Sequence, residues 1–303
     1  MGRQETRVLC FIDILGFKNI IKRWLEDPNA AVTVEASLNR AAEWVGGRRA
    51  LISKTVHDWR LRVFSDCACI SQPATDLGIL SLLEGAAFFQ RELIGAGYLI
   101  RGGISMGKHF ESAYTLLSDA LLDAHELESV HAITPRVLLS PRVLLEIDSI
   151  PDDEVRKELK ELVTIDADGL SFLNYMVFQA EDEWLGGHDF YLKQRDLLTL
   201  ACEDMQLPAP VREKYIWMSM FHNWCVRETA HLLRSSGRLT EDDVWSFSSL
   251  LVKPVAKERR FVSALWLDRA FDGEDYTKRH QGIDWTKEWP GVRTEDDEPE
   301  DYV

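Results

Sequence analysis

Two short apolar segments in the first quarter of the chain each carry one aspartate at their end: Val8-Leu9-Cys10-Phe11-Ile12-Asp13-Ile14-Leu15-Gly16-Phe17 and Arg62-Val63-Phe64-Ser65-Asp66-Cys67-Ala68. Apolar runs of this length, bounded by turn residues, read as buried strands. Ser65-Asp66 reads as the turn of a hairpin whose return strand is Cys67 to Ser71. Neighbouring strands that each present a carboxylate make a site for two divalent metals, and two metals are what a nucleoside triphosphate needs. No other feature restricts the fold as much, because the two strands have to be neighbours.

Around these segments strands and helices alternate. Gly16 allows a tight turn into a helix that runs to about Leu25 and is stopped by Pro28. The stretch 30–45 is amphipathic at helical spacing, with Val34, Leu38, Ala41 and Val45 on one face, and Gly46-Gly47 ends it. A strand is expected over 52–63, a long helix over 76–94, a strand over 98–106, a helix over 118–130 and a short strand over 136–139. This α/β layer closes near residue 145. The remainder reads as more helical, over 152–162, 190–203 and 211–233. The expected organisation is therefore a core over 1–145, a mostly helical extension packed on it over 146–271, and an acidic, flexible tail over 272–303. Tyr215, Trp217, Met218, Phe221, Trp224 and Cys225 have the spacing of a helix buried on most sides, which makes them core.

Composition excludes several classes of partner. With 303 residues and 46% hydrophobic content the chain can build a sizeable core. A net charge of −15 repels phosphate backbones and anionic bilayers, so neither nucleic acid nor a membrane surface is expected as a partner. No apolar stretch approaches the roughly 20 residues of a membrane span, and the polar start 1–7 is not followed by the apolar run of a signal peptide. Cys10, Cys67, Cys69, Cys202 and Cys225 are odd in number, which suggests reduced thiols and a cytoplasmic protein. Cys67 and Cys69 are too close for a usual zinc pair and are expected to alternate along a buried strand. The doublets His57-Asp58 and His188-Asp189 lack the further histidines of a metal phosphohydrolase and read as surface pairs. No Gly-x-Ser-x-Gly, P-loop or His-Glu-x-x-His motif is present.

Phe11-Ile12-Asp13-Ile14-Leu15-Gly16-Phe17 resembles the metal-binding strand of class III nucleotide cyclases. Ser65-Asp66 is similar to the hairpin turn that carries their second metal aspartate, and Arg101-Gly102-Gly103-Ile104-Ser105-Met106-Gly107 to their next strand. The resemblance covers residues 7 to about 130. It implies an α+β fold: a class III cyclase-like, ferredoxin-like βαβ-type sheet with helices on one face, followed by the mostly helical C-terminal extension. The departures are specific. Leu122 and Glu126 stand where cyclic AMP producers carry an Asn and an Arg, Arg62 stands at the adenine-reading Lys, and Thr115 roughly at its partner. That altered set resembles the pyrimidine nucleotide cyclases of bacterial Pycsar anti-phage defence, whose cyclic UMP or cyclic CMP acts on a separate effector protein. Segments 168–175 and 213–217 also resemble that group's extension.

The resemblance implies roles residue by residue. Asp13 and Asp66 would be catalytic, holding two Mn²⁺ or Mg²⁺ ions with the carbonyl of Ile14, and these ions would activate the ribose 3′-hydroxyl and neutralise the phosphates. Phe11, Leu15, Gly16 and Phe17 would cradle the polyphosphate at a helix start, with Arg101 as a clamp. Arg62 and Thr115 would read the base. Arg62 is donor-only and leans toward the two carbonyls of uracil. The expected activity is uridylate cyclisation of UTP in a homodimer. Cytidylate cyclisation of CTP, a purine cyclase and an inactive cyclase-like nucleotide-binding module are the alternatives. Taken singly the residues have plainer roles: strand-end Asp residues cap turns and helices, Arg62 and Arg101 form ion pairs, and Gly102 and Gly103 permit close strand packing.

Overall fold

A computed structural model of the chain describes residues 3–27, 58–112, 114–176, 184–235, 249–252 and 261–263, with separate positions between 29 and 40. The helix expected over 30–45 falls mostly outside the described residues, as do His57, the side chain of His188 and the 272–303 tail.

The described strands form one sheet in the order β2-β3-β1-β4-β6-β8-β7-β9, with the short β5 paired to β4. Its first half contains β1 (Arg3–Ile14), β2 (Arg60–Phe64), β3 (Cys67–Pro73), β4 (Ile100–Glu111) and β5 (Leu116–Ser118). The second half contains β6 (Val137–Leu139), β7 (Val163–Ile165), β8 (Ser171–Leu173) and β9 (Val262–Ser263). Every pairing is antiparallel except β4 with β6. Strands β7 to β9 thus continue the same sheet beyond residue 145. They are two or three residues long, too short to leave a period in the sequence.

Strand β1 reads as an unbroken apolar run because both its faces are covered. Val8, Cys10 and Ile12 enter the main core, which α2 (Asp76–Gly95) shares through Ile79, Leu82, Leu83, Ala86 and Phe89. Leu9 and Phe11 enter a second cluster with Cys69 and with Ala120 and Ala124 of α3 (Asp119–Glu126). Helices therefore lie on both faces of the sheet, a correction to the one-faced arrangement expected above. The physical reason is at Gly103: a Cβ there would stand 2.2 Å from the Ala124 carbonyl oxygen, so the bare backbone of β4 admits α3 onto the second face.

Helix starts are marked chemically. The Thr75 hydroxyl accepts from the Gly78 amide and caps α2, and Ser118 does the same for α3 through the Leu121 amide. Helix α1 (Phe17–Glu26) follows the Leu15-Gly16 turn, where Gly16 has φ +76°. Helices α4 (Pro141–Ser149) and α5 (Asp153–Glu161) begin at Ser140 and Asp152 caps. Beyond α3 the chain makes a π-turn over Leu127–His131.

The long helices α6 (Trp184–Glu203) and α7 (Ala209–Ser235) close the core from the C-terminal side. Trp217, Met218, Phe221 and Cys225 are buried and Tyr215 and Trp224 half-buried, so this aromatic helix is core. Trp217, Phe221 and Trp224 gather around Phe172 and Phe261, with Trp217 stacked on Phe221 at 5.7 Å. Among the described residues no helix is long and apolar enough to cross a membrane.

Candidate metal and nucleotide site

The two aspartates meet through the backbone register. Asp13 is the penultimate residue of β1, opposite Cys67 on one side and Arg101 on the other. Asp66 occupies the β2–β3 turn, which Ser65 makes possible by taking φ 57°, a left-handed conformation uncommon in a non-glycine residue. The Ile14 amide then donates to the Asp66 carbonyl at 2.9 Å. As a result one carboxylate oxygen of Asp13, one of Asp66 and the Cys67 sulfur all lie within 4.8 Å of one another. Hard carboxylate oxygens at this separation fit Mg²⁺ or Mn²⁺. Ile14, the proposed carbonyl donor, is the last residue of β1 beside them.

The neighbours of this pair were not all foreseen. Cys67 donates its thiol to Asp66 Oδ1 at 3.7 Å. Burial first, then the negative charges of Asp66 and Asp13, push that thiol up to about 12. Glu128, on the π-turn, is almost fully buried. Its carboxyl is raised by burial, opposed by Arg101, and raised again by Asp13 and Asp66. Arg101 Nε stands 3.3 Å from Asp13 Oδ2 and 2.5 Å from Glu128 Oε1, the latter an ion pair without hydrogen-bond alignment. Arg101 therefore bridges two carboxylates. A third neighbour, Lys214 of α7, is half-buried and within electrostatic reach of Arg101 and Asp13.

The proposed phosphate cradle divides. The Leu15 amide donates to the Leu99 carbonyl at 2.8 Å, so it is committed to the fold. Gly16 and Phe17 open α1, where the first amides have no intrahelical acceptor. Phe11 is buried two residues before Asp13, with its ring 5.3 Å from His125 and 6.5 Å from Phe64. It forms floor beneath the site.

Arg62 lies on the same sheet face as Asp13, one pair further along the register, opposite Cys69 and hence Phe11. Its guanidinium bonds Glu111 at 2.7 Å and the Ser112 carbonyl at 3.1 Å. The Ser112 amide in turn donates to the Thr115 carbonyl at 2.8 Å, so Arg62 and Thr115 share one turn, with Thr115 exposed. Beneath them Arg7 is fully buried and holds Ser71, Glu5 and Asp58, which with Arg60 fixes the entry to β2. Asp58 of the first His-Asp doublet is thus a structural partner of Arg7 and Arg60.

No known protein family and no curated protein matches the chain. Among solved structures it is similar to a class III adenylyl cyclase-like ATP-binding protein from Pseudomonas aeruginosa, at 11% identity and a TM-score of 0.34, over 48% of this chain and 35% of that one. A similarity this slight transfers no chemistry, and the site stands on its own residues.

Proposed function

We propose that the chain is a class III cyclase-like enzyme that converts UTP to 3′,5′-cyclic UMP and pyrophosphate in a two-ion site. The observation that supports it is the Asp13–Asp66 pair, two hard carboxylates brought within 4.8 Å by adjacent strand ends. Two bound divalent ions would supply charge neutralisation and a more acidic 3′-hydroxyl. Asp13, Asp66 and the Ile14 carbonyl would hold those ions. The Gly16 and Phe17 amides orient the polyphosphate at the start of α1. Arg101, beside Asp13, places a cation where negative charge accumulates on the departing pyrophosphate. Arg62 and Thr115 face the base, and the donor-only guanidinium favours uracil, with CTP the alternative.

Exposed apolar residues, Val63, Phe64, Leu117 and Leu122, the last by 72%, support the proposal of a homodimer. The cyclic nucleotide would serve as a messenger to a separate effector in anti-phage defence, in the cytoplasm. A second reading, a nucleotide-binding module without turnover, is favoured by Leu122 and Glu126. Both are exposed on α3, and neither side chain donates a hydrogen bond to a phosphate at neutral pH.

The deciding experiment incubates the protein with each of the four ribonucleoside triphosphates and Mn²⁺ and identifies products by mass. A single cyclic pyrimidine monophosphate supports the enzyme and names its base. Triphosphate binding without any cyclic product selects the binding module, and a cyclic purine product overturns the base assignment.

A further inference from the structure

We infer that Glu128 sets the divalent-ion affinity of the site through Arg101: it is a positioning residue that holds the guanidinium off Asp13. This rests on the reading of the Asp13–Asp66 pair as a divalent-ion site.

Strand and turn geometry bring the two residues together. Arg101 and Gly103 alternate along β4 and so lie on one face of the sheet. The bare Gly103 lets the end of α3 sit directly on that face, where a Cβ would stand 2.7 Å from Leu127 Cβ. Glu128 follows Leu127 in the π-turn, which the Ala132 amide closes by donating to the Leu127 carbonyl at 2.8 Å. Glu128 Oε1 thereby comes within 2.5 Å of Arg101 Nε, and the same nitrogen stands 3.3 Å from Asp13 Oδ2. One guanidinium nitrogen is thus shared between carboxylates of two different elements.

The two carboxylates do not need the arginine equally. The Glu128 side chain is 4% exposed and that of Asp13 17%. A carboxylate with so little access to water loses more when its countercharge leaves. Asp13 is wetter and has Asp66 within reach, so it can exchange the guanidinium for an ion. Arg101 and a divalent ion compete for Asp13, because both are cations drawn to the same carboxylate. Glu128 biases that competition by giving Arg101 a second partner. Released from Glu128, the guanidinium settles on Asp13, and the ion binds less tightly. Divalent affinity is therefore set by three carboxylates and an arginine, although only Asp13 and Asp66 supply carboxylate ligands.

The test follows free Mn²⁺ by electron paramagnetic resonance while the full chain is titrated, with Asp66→Asn defining the background from other acidic groups. Glu128→Asp is the decisive variant. It keeps the negative charge but shortens the side chain by a methylene, which withdraws it from Arg101. Mn²⁺ is expected to weaken about fivefold in Glu128→Asp, and about tenfold in Glu128→Gln, which also removes the charge. Arg101→Gln removes the competing cation and is expected to tighten Mn²⁺ about tenfold. In that background Glu128→Asp should change the affinity by less than about twofold, because no guanidinium is left to position. Wild-type Mn²⁺ affinity in Glu128→Asp overturns the inference. So does an equal loss with and without Arg101, which marks a role of the π-turn that does not pass through the arginine. Wild-type protein that binds Mn²⁺ no better than Asp66→Asn overturns the site reading itself, and with it this inference.

Discussion

Ile14 donates its backbone N–H to the carbonyl of Asp66 at 2.9 Å, which ties the end of β1 to the β2–β3 turn. Because this bond runs between main chains, the two carboxylates are brought together before either side chain makes a contact. The pairing of Asp13 with Cys67 and Arg101 then sets which groups surround them. Side chains at this site can be exchanged while the geometry that presents them persists.

Asp66→Asn should therefore separate chemistry from folding. The backbone bond to Ile14 remains, and one ion-binding carboxylate is lost. Cyclic product is expected to fall by about 10²-fold or more, with circular dichroism and thermal unfolding close to wild type. Wild-type turnover in this variant would remove Asp66 from the two-ion assignment.

Gly103→Ala tests how tightly α3 rides on β4. The added Cβ would sit 2.2 Å from the Ala124 carbonyl oxygen and 2.7 Å from Leu127 Cβ, and the first of these is backbone that cannot swing aside. A loss of about 1–3 kcal/mol in urea unfolding is expected. The displaced helix leads directly into the π-turn that carries Glu128, so Mn²⁺ affinity should change as well. Wild-type stability would mean that α3 is free to slide.

Arg136→Met would take the guanidinium away from the fully buried Asp166 carboxylate, which keeps its bond from the Trp217 indole. Breaking one side of a buried pair costs about 3–5 kcal/mol. Urea unfolding should show a loss of that order, and Arg136→Met combined with Asp166→Leu should recover part of it. A single-variant loss below about 1 kcal/mol would show that the clamp is not structural.

Much of this was readable from residue order, and the limits have physical causes. Asp13 and Asp66 stood out because each ends an apolar strand, and register alone then brings them together. Glu128 carried no signal, because nothing in Leu127-Glu128-Ser129-Val130-His131 distinguishes a π-turn from ordinary helix. Cys67 is the strand residue its spacing with Cys69 predicts, and its register opposite Asp13 also puts the thiol in the site. The Glu128 partner of Arg101 is not legible in residue order, because that ion pair joins distant elements. The helix on the second face was missed for a similar reason. Gly102-Gly103 suggested close strand packing, whereas at Gly103 the close neighbour is a helix.

Arg62→Ala should act on substrate choice. The side chain is about half exposed and its bonds to Glu111 and Ser112 are at the surface, so stability should change by less than about 1 kcal/mol. The ratio of UTP to CTP turnover is expected to move by more than the Mn²⁺ dependence does. An unchanged ratio would take Arg62 out of the base site and leave it as the anchor of the 112–115 turn.

His222 predicts a pH dependence of stability that has no connection with the site. Its ring is buried in α7, with Nε2 2.8 Å from the Leu250 carbonyl and Nδ1 3.1 Å from the Gln194 side-chain amide. Burial pushes its pKa down to about 4, with the Leu250 carbonyl opposing and Arg195 adding to the shift. The ring lies between two oxygens, the Leu250 carbonyl at Nε2 and Gln194 Oε1 at Nδ1, while the Gln194 NH₂ donates to the Tyr175 hydroxyl. Above the unfolded value of 6.5 the ring is neutral in both states and contributes no slope. As pH falls through 6.5 the unfolded chain takes up a proton that the native state refuses, so stability drops by about 1.4 kcal/mol per pH unit. The drop ends near pH 4, where the native ring also protonates, for a total of about 3 kcal/mol. Urea midpoints of wild type and His222→Gln at intervals from pH 7.5 to 4 should therefore converge on acidification, by that amount. Curves that stay parallel would show that the buried ring titrates like a solvated one.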